Sequence, residues 1–108
     1  MDENRTLPQE PQRILITIQE ALMAKELLRA IEEKAKYGEK WLVTSEVIGD
    51  VLSSFKPGAA RAFLEKLERL GCLEFLKDRK GKPIPSVFRL KPSYEQRLRE
   101  ELKMLSDP

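Results

Sequence analysis

The 108-residue sequence contains no histidine and a single cysteine, Cys72. Without imidazole there is no Cys/His zinc site, no Ser-His-Asp triad and no Cys-His pair. One thiol forms no intrachain disulfide, and it rules out a dithiol sensor. No run approaches the roughly 20 apolar residues that a membrane-spanning helix needs. The opening stretch Met1–Glu10 is polar and carries Asp2, Glu3 and Glu10. It is unlike a secretory leader, so the expected location is the cytoplasm. No pair of acidic residues stands in a cleft-like pattern, and no internal repeat or low-complexity segment is present. The expectation is a protein that is not an enzyme and uses no metal or cofactor.

What remains is charge and aliphatic carbon. The chain is 41% hydrophobic and 35% charged, which fits one domain with one core and a very soluble surface. Richness in Lys and Glu leans towards a thermophile. Net charge is only +2, but it is unevenly spread. Ser53–Pro92 holds ten basic residues against four acidic ones, net +6, whereas the rest holds ten against fourteen, net −4. A basic half beside an acidic half points to a polyanionic partner on one side.

Residues 1–11, with Pro8 and Pro11, read as a flexible tail. One long helix is expected from about Gln12 to Tyr37, with Ala21, Ala24, Leu27, Leu28, Ile31 and Ala35 on its inner face and Gly38 as its stop. Trp41–Val43 is a short extended piece. Thr44 has the chemistry of an N-cap for a two-turn helix carrying Val47, Ile48, Val51 and Leu52. Pro57 suits the first position of a further helix that ends at Gly71, with Ala60, Phe63, Leu64, Leu67 and Leu70 as its buried stripe. Cys72–Lys77 and Val87–Leu90 read as two strands of a hairpin, joined by the turn Asp78–Pro83. Ser93 and Gln96 have capping-box spacing before a last helix from Tyr94 to about Leu105. The fold class is therefore mainly α with a small β-hairpin.

The order helix, short strand, short helix, turn, helix, strand, basic loop, strand is that of a winged helix-turn-helix. Two stretches carry a specific likeness: Val43-Thr44-Ser45-Glu46-Val47-Ile48, and Gly58-Ala59-Ala60-Arg61-Ala62-Phe63-Leu64-Glu65-Lys66-Leu67-Glu68-Arg69-Leu70-Gly71. With the charged hairpin that follows, residues from about Gln19 to Leu90 resemble the winged-helix domains of MarR-, ArsR- and PadR-like regulators. The resemblance speaks for the fold and not for a subfamily. It implies a winged-helix domain over residues 12–92, with an extended N-terminal helix, and an extra helix over 93–108. It also implies binding to double-stranded DNA, in transcriptional regulation or in DNA organisation or partition.

A helix fits the major groove and presents its N-terminal half to base edges. Gly58, Arg61, Ala62, Glu65 and Arg69 lie opposite the buried stripe. Arg61 suits a guanine, and the small Gly58 and Ala62 permit close approach. Lys56, Ser45 and Ser54 suit phosphates, and Arg79, Lys80 and Lys82 at the wing tip suit backbone or minor groove. Glu65 stands mid-face, where it repels phosphate unless it accepts a hydrogen bond from cytosine. Modest specificity is expected, with phosphate contacts supplying much of the affinity.

The domain does not need the apolar run Ile14–Ile18 or the stripe on the last helix. Ile14, Leu15, Ile18, Leu22, Tyr94, Leu98, Leu102 and Leu105 are therefore expected to form a homodimer face, as flanking helices do in related regulators. Two other readings stand beside this one. Thr44–Gly71 also resembles the winged-helix ribosomal protein of the archaeal and eukaryotic small subunit, an RNA binder. The acidic tail and the extra helix depart from that family. The third reading is a protein-interaction winged helix without a nucleic-acid role, favoured by Glu65 and Glu68.

Overall fold

Strong helix formers and a clean apolar stripe produce four helices in the computed structural model, which describes residues 13–106. The expected tail at 1–11 lies outside the described residues. Helix α1 spans Ile18–Ala35, and strand β1 spans Leu42–Val43. Helix α2, Thr44–Glu46, runs on into a π-helical turn at Val47–Val51. Helix α3 spans Pro57–Arg69, the hairpin strands β2 and β3 span Leu73–Lys77 and Pro83–Leu90, and α4 spans Pro92–Ser106. The fold is mainly helical with a small antiparallel sheet: helix, turn, helix, wing, and one helix beyond.

Among the described residues the sheet has three strands, in the order β1-β3-β2. Leu42 pairs with Phe88 and Val43 with Val87, so the short extended piece at Trp41 is tied to the hairpin. Across the hairpin, Leu73 faces Leu90 and Phe75 faces Phe88, with an irregularity between Phe75 and Lys77. Phe63, Leu67, Phe88, Leu27 and Leu98 meet in one core cluster, so α3, the sheet, α1 and α4 share a single interior. The stripe of α3 is as expected except that Leu70, at the helix end, is exposed. On α1, Ala35 is exposed and Met23 is buried.

Helix α1 does not begin near Gln12. Thr17 is its N-cap: Thr17 Oγ1 accepts the Glu20 N–H at 3.0 Å, and Glu20 Oε1 accepts the Thr17 N–H at 3.1 Å. This is a capping box, and it fixes the start because it satisfies donors that a longer helix would have used otherwise. The residues before it form a non-helical strap held through its backbone donors by carboxylates. Ile14 and Leu15 donate to Glu101 of α4, at 2.9 and 2.8 Å for the shorter contacts, and Ile16 donates to Glu20 at 2.8 Å. Glu101 is 8% exposed. A carboxylate so far removed from water is tolerated because these N–H groups, and Arg97 at 3.6 Å, replace its hydration.

Two further starts differ from expectation. Val43, not Thr44, is the N-cap of α2, and Thr44 Oγ1 instead donates to the Pro85 carbonyl at 3.5 Å. Helix α4 starts at Pro92, so Ser93 lies inside it; the Tyr94 and Glu95 N–H groups donate to the Lys91 carbonyl. Proline suits this first position for the same reason as at Pro57.

Glu20 also reaches across to α3, where its Oε2 accepts from Lys66 Nζ at 2.9 Å. Burial pushes the Glu20 carboxyl up. The Lys66 ammonium and the N–H groups of Ile16 and Thr17 outweigh it and leave it below the ordinary value. A carboxyl depressed in the folded chain stabilises the fold above its unfolded pKa, and that contribution is lost as pH falls through the folded pKa. Stability should therefore drop on acidification from about pH 4.3, the usual glutamate value, downwards. Urea titrations between neutral and acid pH check this: Glu20→Gln should show a shallower acid loss than the parent, and an identical profile would refute the assignment.

Candidate nucleic-acid interface

Pro57 opens α3, and Lys56 occupies the N-cap position in an extended conformation without a side-chain capping bond. Four-residue spacing then sends Ala60, Phe63, Leu64 and Leu67 inward. The same geometry places Gly58, Arg61, Ala62, Glu65, Glu68 and Arg69 on the exposed outer side. Ser45 in the first turn of α2, and Ser54 in the turn before α3, are exposed as well. A Cβ built on Gly58 would meet nothing within 4 Å, so the approach to this end of α3 is open.

Arg61, Glu65 and Glu68 form one line along the helix, and they share a crevice with Thr44, Phe75 and Pro85. The crevice runs between α3 and the base of the hairpin and has a volume of about 110 Å³. Thr44, Pro85 and Glu68 are not among the residues expected at the site. Glu68 has a signal, since it lies three residues beyond Glu65 on the same side. Thr44 and Pro85 have none, because their place depends on how β3 crosses α2.

The wing tip is built by one acidic residue. Asp78 Oδ1 accepts the N–H groups of Lys80 at 2.8 Å and Lys82 at 2.9 Å, and the Asp78 N–H donates to the Lys82 carbonyl at 2.8 Å. Gly81 takes the left-handed conformation, φ 83°, that the turn requires. Asp78 is thus occupied by backbone, while Arg79, Lys80 and Lys82 are exposed around it.

Pairing is uneven, and both halves of the molecule hold paired and free cations: among the described residues Lys25 on α1 is exposed and in no ion pair, whereas Lys66 on α3 pairs with Glu20. Arg29, Lys34, Lys36 and Arg99 on α1 and its C-cap and on α4 all sit in ion pairs with glutamates. Among the described residues, Lys56, Arg61, Arg69, Arg79, Lys80 and Lys82 form no ion pair. Arg89 differs from them: it bonds Glu74 across the hairpin at 2.8 Å and stacks over Trp41 at 5.3 Å, so Trp41 serves the sheet. Cys72 is fully buried, and burial pushes its thiol up, which leaves it unreactive.

The residues expected at a dimer face divide. Ile14, Leu15 and Leu98 are buried in their own chain's core, because Glu101 pulls the strap onto α4. Tyr94 and Leu102 are half-buried against that core. Ile18 at 81%, Leu22 at 49% and Leu105 at 50% exposure remain outside, as does Met104, the neighbour of Leu105. Leu22 and Leu105 border a groove of about 600 Å³ between α1 and α4, lined also by Ala21, Leu28 and Leu102. The two helices are antiparallel: Arg99 pairs with Glu32 late in α1, and Glu101 holds the strap before it.

Among the described residues no cluster could hold a metal ion, and no helix is long and apolar enough to cross a membrane. Comparison with protein-family models, curated proteins and solved structures returns no match. The likeness to winged-helix regulators rests on the residues and the element order alone.

Proposed function

We propose that the chain binds double-stranded DNA, with α3 in the major groove and the Arg79–Lys82 tip on the flanking backbone or in the minor groove. The observation that carries this reading is the set of unpaired, exposed cations on α3 and the wing tip, beside an outer helix side that the chain leaves uncovered. Cations without an internal partner are available to phosphates, and each phosphate contact releases counterions from the duplex. Lys56 and Ser54 precede the first turn of α3, where phosphates pass when a helix enters the groove, and the exposed Ser45 at the start of α2 offers a further phosphate contact. The protein acts in transcriptional regulation or in DNA organisation or partition.

The protein works as a homodimer. Ile18, Leu22, Met104 and Leu105 are the apolar side chains that α1 and α4 leave to a second copy. A two-fold arrangement places two reading helices on a pseudo-palindromic site. Light scattering should give twice the mass of one chain, and a single-chain mass at high concentration would refute the dimer.

The test of function is duplex binding by fluorescence anisotropy at about 50 and 200 mM salt, where several phosphate contacts give a loss of about 10³-fold or more. Arg61→Ala should weaken binding about tenfold, the size of one bidentate base contact. Binding confined to structured RNA would transfer the surface to the ribosomal-type reading. Absence of binding to either nucleic acid would leave a protein-interaction role.

A further inference from the structure

Phosphate binding leaves two carboxylates on this surface without a purpose, Glu68 and, nearer to Arg61, Glu65. Glu65 stands one turn after Arg61 on the outer side of α3, in the crevice shared with the base of the wing. Four-residue spacing would let the two side chains pair, yet among the described residues neither is in an ion pair. The basic-before-acidic order is the weaker orientation for such a pair on a helix. Both charged heads are thus open to a third group. The wing turn shows how this chain treats an acid that shapes the fold: the Asp78 carboxylate is filled with backbone donors. Glu65 has no donor of that kind.

A carboxylate offers acceptors only, so in a DNA groove it is repelled by phosphates and by acceptor edges. In the major groove, guanine shows N7 and O6 acceptors, thymine shows O4, and adenine sets its amino group beside the N7 acceptor. Cytosine alone presents an amino donor without an adjacent acceptor on its own edge. Side chains one turn apart start about 5–6 Å from each other at Cβ, and successive base pairs are about 3.4 Å apart along each strand. The two heads therefore reach neighbouring base pairs. Gly58 and Ala62 on the same outer side add no bulk to hold the helix away.

We propose, resting on the DNA reading above, that Glu65 is a specificity-determining residue that accepts a hydrogen bond from a cytosine N4 amino group, while Arg61 forks onto guanine in a neighbouring base pair. Glu65 then disfavours every other base at its position and lowers affinity for unrelated sequence.

The experiment selects duplexes from a randomised pool with the parent protein, Glu65→Ala and Glu68→Ala, and measures affinities for the selected duplex and single-base variants. With the parent, replacing the C·G pair by T·A, or the cytosine by N4-methylcytosine, which keeps its pairing hydrogen and sets the methyl in the major groove, should cost about tenfold, the scale of one base contact. With Glu65→Ala that discrimination should fall below about twofold while binding to unrelated duplex tightens. Glu68→Ala removes the same charge and should keep the cytosine preference. Parent binding without a cytosine preference, or an unchanged preference in Glu65→Ala, overturns the role of Glu65 and leaves DNA binding standing. Failure of the parent to bind any duplex overturns DNA binding itself.

Discussion

Replacing Arg79, Lys80 and Lys82 together by alanine should weaken duplex binding by about 10²–10³-fold at roughly 0.1 M salt. The size follows from counterion release. Each phosphate that a cation neutralises frees about 0.9 of a condensed ion, and near 0.1 M salt that is worth close to one decade in affinity. With three such cations removed, the plot of log affinity against log salt should also flatten by about 3. The slope is the sharper readout, because it reports how many phosphates are neutralised regardless of how strongly each one is held. The variant should fold as the parent does. Asp78, whose carboxylate holds the Lys80 and Lys82 backbone, and Gly81, whose φ of 83° closes the turn, are both kept. Exposed substitutions away from such features stay within about 0.5 kcal/mol. An unchanged slope at unchanged fold stability would mean that the wing tip does not touch the duplex.

The parts of this fold that can be read from the chain are those decided locally. Pro57 and Gly71 bracket α3 because one lacks an N–H where none is needed and the other reaches positive φ without a Cβ penalty. The outer line Gly58–Arg61–Ala62–Glu65 follows from the 3.6-residue period alone. The start of α1 is also written locally, as Thr17-x-x-Glu20, but the dense aliphatic run Ile14–Ile18 hides it by suggesting continuous helix. Long-range facts have no local trace. Nothing near Glu101 announces that its partners lie 86 and 87 residues away in the strap. The same holds for Thr44 and Pro85, which meet at the crevice only because β3 crosses α2. For this reason Ile14, Leu15 and Leu98, expected at a dimer face, are instead covered by their own chain. Periodicity finds an apolar face but does not say whether the same chain or a second one covers it.

Leu98 separates those two possibilities, and Leu98→Ala should lower unfolding free energy by about 2–5 kcal/mol, the range for a leucine removed from a tightly packed interior. Leu98 is fully buried and shares its core with Leu27, Phe63 and Phe88. One turn further along α4, Glu101 holds the strap that brings in Ile14 and Leu15. A cavity at Leu98 therefore loosens α4 and strap together. A domain of this length has about 5–15 kcal/mol in all, so the melting temperature should fall by roughly 10 °C or more. The decisive feature is concentration. A side chain packed within its own chain gives a deficit that is the same at micromolar and at millimolar protein. One packed against a second copy gives a deficit that shrinks as mass action restores the complex. Leu105→Ala, half exposed at the rim of the α1–α4 groove, should behave the other way, with little change in the folded chain and weaker self-association. A Leu98→Ala deficit that vanished at high concentration would place α4 in an intersubunit core. The dimer proposed above would then have to be redrawn around an exchanged strap.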